Sequence, residues 1–157
     1  MASRPILVDT NLLVLLAVGL ISPSHIKRHK RLQQYDEIDF RALEELIAAS
    51  SGAIFCPNVS TETSNLVRYV AEPLRSRVGL VLAELIRRAE ESLVPNRDAV
   101  DHPAYARLGL TDAVLLMLAA RGATLVTDDL PLYLAAVAAG QEAINFAHVQ
   151  ARRPDFP

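Results

Sequence analysis

The segment ILVDTNLLVLLAVGLI, Ile6 to Ile21, is apolar throughout except for Asp9, Thr10 and Asn11. An unpaired buried carboxylate is costly, so Asp9 is expected to be neutralised, paired or bound to a cation. Three other places pose the same problem. Glu62 lies one turn after Val59 and one turn before Leu66, in a stretch where Val59, Leu66, Val67 and Val70 recur at helical spacing, so it borders a buried face. Asp112 opens a helical run, Ala113 to Ala120, that is apolar on all sides. Asp128 and Asp129 directly follow the apolar stretch ATLVT. Carboxylates gathered without His or Cys partners select hard cations, Mg²⁺ or Mn²⁺. Such a cation lowers the pKa of a water and offsets charge growing on a phosphoryl group, chemistry suited to phosphodiester hydrolysis. Without it the acids repel one another, and raised pKa values are expected.

Each acid also has a local role open to it. Asp112 suits the positive end of a helix dipole, and Asp128 or Asp129 suits an N-cap ahead of Pro131. Asp9 or Asn11 can cap the helix that follows, and Glu62 can pair with Arg68 or Arg75. Separate capping gives no reason, however, for all of these acids to share one edge of a fold.

The basic residues are less directive. Ser22 to Tyr35 contains IKRHKR, in which Lys27, Arg28, Lys30 and Arg31 either grip phosphates or form a solvated loop. No aromatic residue lies among them to stack bases, although Tyr35 is near. His25, His29, His102 and His148 show no zinc spacing. Net charge is −2, from 16 basic and 18 acidic residues, and so carries no basic signature of nucleic-acid binding. With the five acids above assigned to one cation site the balance is 16 to 13, or +3, and an anionic substrate stays compatible.

The elements that must position these residues can be read from the apolar runs. Pro5–Val8, Gly52–Cys56, Ser92–Pro95, Ala123–Thr127 and Ala143–Phe146 read as short strands. Helices are expected at Leu12–Leu20, from an N-cap at Asp39 to Ala49, from Pro57 to Ala71 and from Pro73 to Glu91. A helical turn at Pro103–Leu108 precedes helices at Thr111–Arg121 and Leu130–Ala139, each closed by a glycine. Strands that alternate with helices and are apolar throughout imply a parallel sheet covered on both faces. Ligands bind such sheets at the carboxyl ends of their strands, where Asp9, Asp128 and Asp129 fall. At 157 residues, with 51% hydrophobic residues and no linker or repeat, the chain reads as a single α/β domain spanning residues 1–157.

The order VDTN, PNVSTETSNLV, LGLTDAVLLMLAARG and LVTDD resembles the PIN-domain nucleases, most closely the VapC-type toxin ribonucleases, over roughly Ile6 to Phe146. The resemblance implies a three-layer α/β/α fold around a parallel sheet, a Mg²⁺ or Mn²⁺ site and cleavage of single-stranded RNA. It matches the four family acids to Asp9, Glu62, Asp112 and Asp129. Thr10 or Asn11 then supports the first, Thr127 supports the fourth, and Asp128 is left as an alternative ligand. Arg68 or the Lys27–Arg31 run would clamp the RNA backbone. A homodimer and a small antitoxin partner are also implied, with Val78, Leu82 and Leu85 either apolar surface or core.

Two other classes compete. A phosphatase of the haloacid-dehalogenase type also places an Asp after its first strand, but needs a second Asp where Asn11 stands. A catalytically silent module binding RNA or protein would be marked by broken acids, and all four positions are filled. The single cysteine, Cys56, excludes an internal disulfide and suits a small buried hydrophobe in a reducing compartment. Leu12–Ile21 is too short to span a bilayer, and no small-x-small cleavage site follows it. A cytoplasmic protein is expected.

Overall fold

The apolar runs become five short strands: β1 (Ile6–Val8), β2 (Ala53–Phe55), β3 (Glu90–Glu91), β4 (Thr124–Thr127) and β5 (Ala143–Asn145). The computed structural model, which describes residues 3–155, places them in one sheet ordered β3-β2-β1-β4-β5. Every pairing is parallel. Central β1 is buried along its whole length, which is why it is built from Ile, Leu and Val without alternation.

The chain steps outward from β1 to β2 and β3, then crosses back to β4 on the other side of β1 and continues to β5. The first excursion carries α1 (Thr10–Ile21), α2 (Glu37–Ala49), α3 (Pro57–Leu66) and α4 (Leu74–Arg88). The remainder carries α5 (Asn96–Ala99), α6 (Tyr105–Leu108), α7 (Leu110–Ala119), α8 (Leu130–Ala138) and α9 (Phe146–Ala151). α1 packs on α2, α3 and α4, while α7 packs on α5, α6 and α8. Right-handed crossovers in opposite directions put these two groups on opposite faces, giving a three-layer α/β/α architecture. Between β1 and β4 the direction of winding reverses, and there the strand ends open a crevice.

The helix after β1 is buried on nearly all sides, from Leu12 to Gly19. Its Gly19 lies against the Phe40 ring of α2; a Cβ there would come within 2.3 Å of a ring carbon. α2 begins at Asp36, not Asp39. Asp36 accepts from the Ile38 and Asp39 N–H groups at 3.0 and 3.1 Å, and Asp39 returns a bond to the Asp36 N–H at 3.0 Å. Asp39 is therefore the third residue of a capping box. Arg153, past the end of α9, binds both acids at 2.8 Å and ties the chain after α9 to the start of α2.

Other boundaries also differ from the sequence expectation. The helix from Pro57 stops at Leu66, with buried Val67 as its C-terminal cap, and does not reach Ala71. The long helix ends at Arg88, since Glu90–Glu91 pairs with Ile54–Phe55. That strand was expected at Ser92–Pro95; as an exposed, charged edge strand it has no hydrophobic signature. Val78 and Leu82 of α4 are core residues. Short α5 and α9 carry too few residues for a periodic pattern.

The basic connection is not a solvated loop. Pro23–Arg28 is a 3₁₀ turn, and Ile26, His29, Leu32 and Tyr35 are all buried at three-residue intervals. The cations Lys27, Arg28, Lys30 and Arg31 fill the exposed positions between them. Among the described residues no helix is long and apolar enough to cross a membrane.

Candidate functional site

The register of the sheet brings the first two acidic segments together. Val8 is opposite Val126, so the residues that follow, Asp9 and Thr127, are neighbours, and the Asp9 N–H donates to the Val126 carbonyl at 3.0 Å. Thr127, fully buried, donates its hydroxyl to Asp9 Oδ2 at 2.6 Å. The same hydroxyl oxygen accepts from the Asp129 N–H at 2.9 Å. Asp9 Oδ1 accepts from the Thr10 N–H at 2.7 Å, so this acid caps α1 as well as facing the crevice.

Glu62 reaches the crevice from α3. Thr10 donates to its Oε2 at 3.0 Å, and Thr111 at the start of α7 donates to its Oε1. The carboxylate is exposed toward the cavity and pairs with neither Arg68 nor Arg75. Asp112 sits in the first turn of α7, half-buried, with no hydrogen-bond partner among the described residues. Asp128 accepts from the hydroxyl of the buried Tyr35, and Asp129 caps α8 by accepting from the Leu132 N–H at 3.0 Å. One Asp129 oxygen is thereby left to the crevice.

These acids line one cavity of about 430 Å³ together with Thr10, Asn11, Leu66 and Arg31. Every carboxylate singled out in the sequence is present. Of the five cations considered, Arg31 alone lines it. Lys27 turns away to donate to the Gln33 carbonyl at 3.2 Å, and Arg68 lies with Arg75 and Glu72 in a separate groove between α3 and α4. Tyr35 is buried and unavailable for stacking. Two contributors have roles with no sequence signal: Tyr35, which reaches Asp128 from a distant connection instead of facing out to stack bases, and Thr111, which reads only as the start of a helix.

The electrostatics reflect crowding of like charge away from water. Burial pushes the Asp9 carboxyl up to about 6, with Asp128 and Asp129 adding to the rise and the Thr127 and Thr10 bonds opposing it. Burial also leads for Asp112, and the charges of Asp9, Asp129 and Glu62 carry it to about 7. The Tyr35 phenol is pushed up by burial and by Asp128, so it stays protonated and donates.

The donor set is oxygen only, the kind that holds hard divalent cations. As the side chains stand, no three acids among the described residues converge on one ion. Hydrogen bonds to Thr10, Thr111, Thr127, Tyr35 and Leu132 occupy one or both oxygens of four of them.

Fold and site together define an α/β protein with a carboxylate-lined crevice at the switch point of a parallel sheet. The chain matches no protein-family model and no curated protein.

Proposed function

We propose that this protein is an endoribonuclease dependent on Mg²⁺ or Mn²⁺ that cleaves phosphodiester bonds in single-stranded RNA. One observation carries the reading: acids from four separate segments of the chain, Asp9, Glu62, Asp112 and the Asp128–Asp129 pair, line a single cavity at the carboxyl edge of β1 and β4. Local capping explains Asp9 and Asp129; Asp112 lies in the first turn of α7, where the helix dipole favours an acid, but it has no hydrogen-bond partner among the described residues and its pKa is raised to about 7.

Asp9 and Asp112 would be the principal metal ligands, completed by Glu62 and Asp129, with Asp128 available beside them. A bound divalent cation supplies a lowered water pKa and neutralisation of charge on the phosphoryl group. The chain's own part is to hold the donors. Thr127 and the Thr10 N–H orient Asp9 from two sides, and Thr10 and Thr111 hold Glu62 between α1 and α7. The motif resemblance to PIN-domain nucleases extends the proposal to a toxin role, with an antitoxin and a second copy of the chain as partners.

Asp9→Asn tests the reading: Mn²⁺-dependent cleavage of single-stranded RNA should fall by at least about a thousandfold while the circular dichroism spectrum is retained. Undiminished cleavage by that variant would overturn it. A second reading, a silent RNA- or protein-binding module, draws on the hydrogen bonds that occupy acid oxygens and on the lack, among the described residues, of three acids converging on one ion. Titration separates the two, because a module without a cation site gains no stability from Mg²⁺ or Mn²⁺.

A further inference from the structure

The acidic cavity opens beside a second groove of about 710 Å³, and the two share Glu62 and Asp112. The groove runs past Asn58 and Asn96, whose amides bond each other at 3.3 Å, and over Leu93 and Leu110. Neither Lys nor His lines either cavity, and among the described residues Arg31 is the one basic side chain that does. A nucleic-acid strand crossing these surfaces therefore meets five carboxylates and a single cation.

Arg31 is placed there by its surroundings. His29 is buried, and its Nδ1 accepts the Arg31 N–H at 3.1 Å. Leu32 enters the core next, and Tyr35 anchors the end of the connection on Asp128. The Arg31 side chain remains exposed and makes no ion pair with any described acid, although it shares their cavity. A guanidinium offers paired donors in a planar fork that match two oxygens of a phosphate. Arg31 and Asp112 face the same space, while the open groove continues on the Asp112 side.

We infer that Arg31 is the phosphate-binding residue of this site, gripping a phosphodiester of single-stranded RNA at the edge of the cavity away from the Asn58–Asn96 groove. The inference rests on the endoribonuclease reading and narrows the basic run to one residue. Lys27, Arg28 and Lys30 contribute to the general field around the connection and not to this contact.

The test compares wild type, Arg31→Met and Arg31→Lys on a fluorescent single-stranded RNA oligonucleotide with Mn²⁺, following cleavage and, with Ca²⁺ in place of Mn²⁺, anisotropy. Arg31→Met should raise KM at least about tenfold with kcat changed less than about threefold, and Arg31→Lys should lie between. Loss of one phosphate contact should also flatten the log–log salt dependence of binding by about 0.7, a change that a purely structural role would not produce. Wild-type KM and salt slope in Arg31→Met would overturn the assignment, as would a larger loss in the triple variant Lys27→Met, Arg28→Met, Lys30→Met. Wild-type protein that neither binds nor cuts the oligonucleotide would instead overturn the ribonuclease reading, and the Arg31 role with it.

Discussion

Thr127 donates its hydroxyl to Asp9 at 2.6 Å while its oxygen accepts the Asp129 N–H at 2.9 Å, so one buried side chain sets the positions of acids 120 residues apart in sequence. Thr127→Val keeps the shape and removes both bonds. Loss of an outer partner of a metal-binding carboxylate typically costs ten- to a hundredfold in affinity or activity. We expect a drop of about that size in Mn²⁺-dependent cleavage, with Asp9 no longer held toward the crevice. Activity within about twofold of wild type would show that the pairing does not orient the site.

Asp9 and Asp112 hold their protons more tightly in the folded chain than in the unfolded one, at about 6 and about 7 against an ordinary value of 3.8. Between about pH 4 and pH 7 these two carboxyls thus bind more protons in the folded state, and their contribution to stability falls as pH rises through that window. For Asp9 the loss is on the order of 3 kcal/mol. In EDTA the melting temperature should decline from pH 4.5 to pH 7.5, and Asp112→Asn should decline less. Added Mn²⁺ should restore stability at pH 7.5 and do little at pH 4.5, where the acids are protonated. Differential scanning fluorimetry across pH reads both effects.

Asp128 and Asp129 are separated by their hydrogen bonds. Each has one oxygen engaged, Asp129 by its cap on α8 and Asp128 by Tyr35, but the Asp129 backbone is also fixed by Thr127, the residue that holds Asp9. Asparagine caps a helix as well as aspartate does, so Asp129→Asn should keep the melting temperature within about 2 °C and still lose most of its activity. Asp128→Asn should retain activity to within about tenfold. The opposite ranking in a cleavage assay would make Asp128 the ligand.

Gly19 sets the approach of α1 to α2. Alanine is the better helix former by about 1 kcal/mol, but its Cβ would lie 2.3 Å from a carbon of the buried Phe40 ring. Overpacking of that kind typically costs about 1–3 kcal/mol, so the steric cost wins. Gly19→Ala should lower the urea midpoint, and Gly19→Ala with Phe40→Leu should recover part of the loss.

Much of the architecture was legible in sequence because burial on both faces writes a continuous apolar run. Ile6–Val8 and Thr124–Thr127 could be read that way, and placing an acid after each followed from where a parallel strand must end. Capping residues were harder to place. Asp36 and Asp39 both suit an N-terminus, and only the reciprocal bonds between them decide which comes first. The Glu90–Glu91 edge strand was invisible, since an edge needs backbone pairing and no apolar side chain.

By itself the sequence determined the residue types of the crevice, the strand ends that present Asp9, Asp128 and Asp129, and the parallel α/β class. These depend on local pattern: hydrophobic period, turn residues and the change from strand to helix. Only the tertiary structure decided which hydroxyls hold which acids, that Tyr35 is buried on Asp128, and that Arg31 alone of the basic run shares the carboxylate cavity. The basic run shows why. Its exposed cations are interchangeable in composition, and Ile26, His29, Leu32 and Tyr35, entering the core at three-residue intervals, leave all four of them pointing outward between the buried residues. Which of them meets the crevice depends on how the connection docks against α1 and α2, a contact between segments that no local pattern encodes.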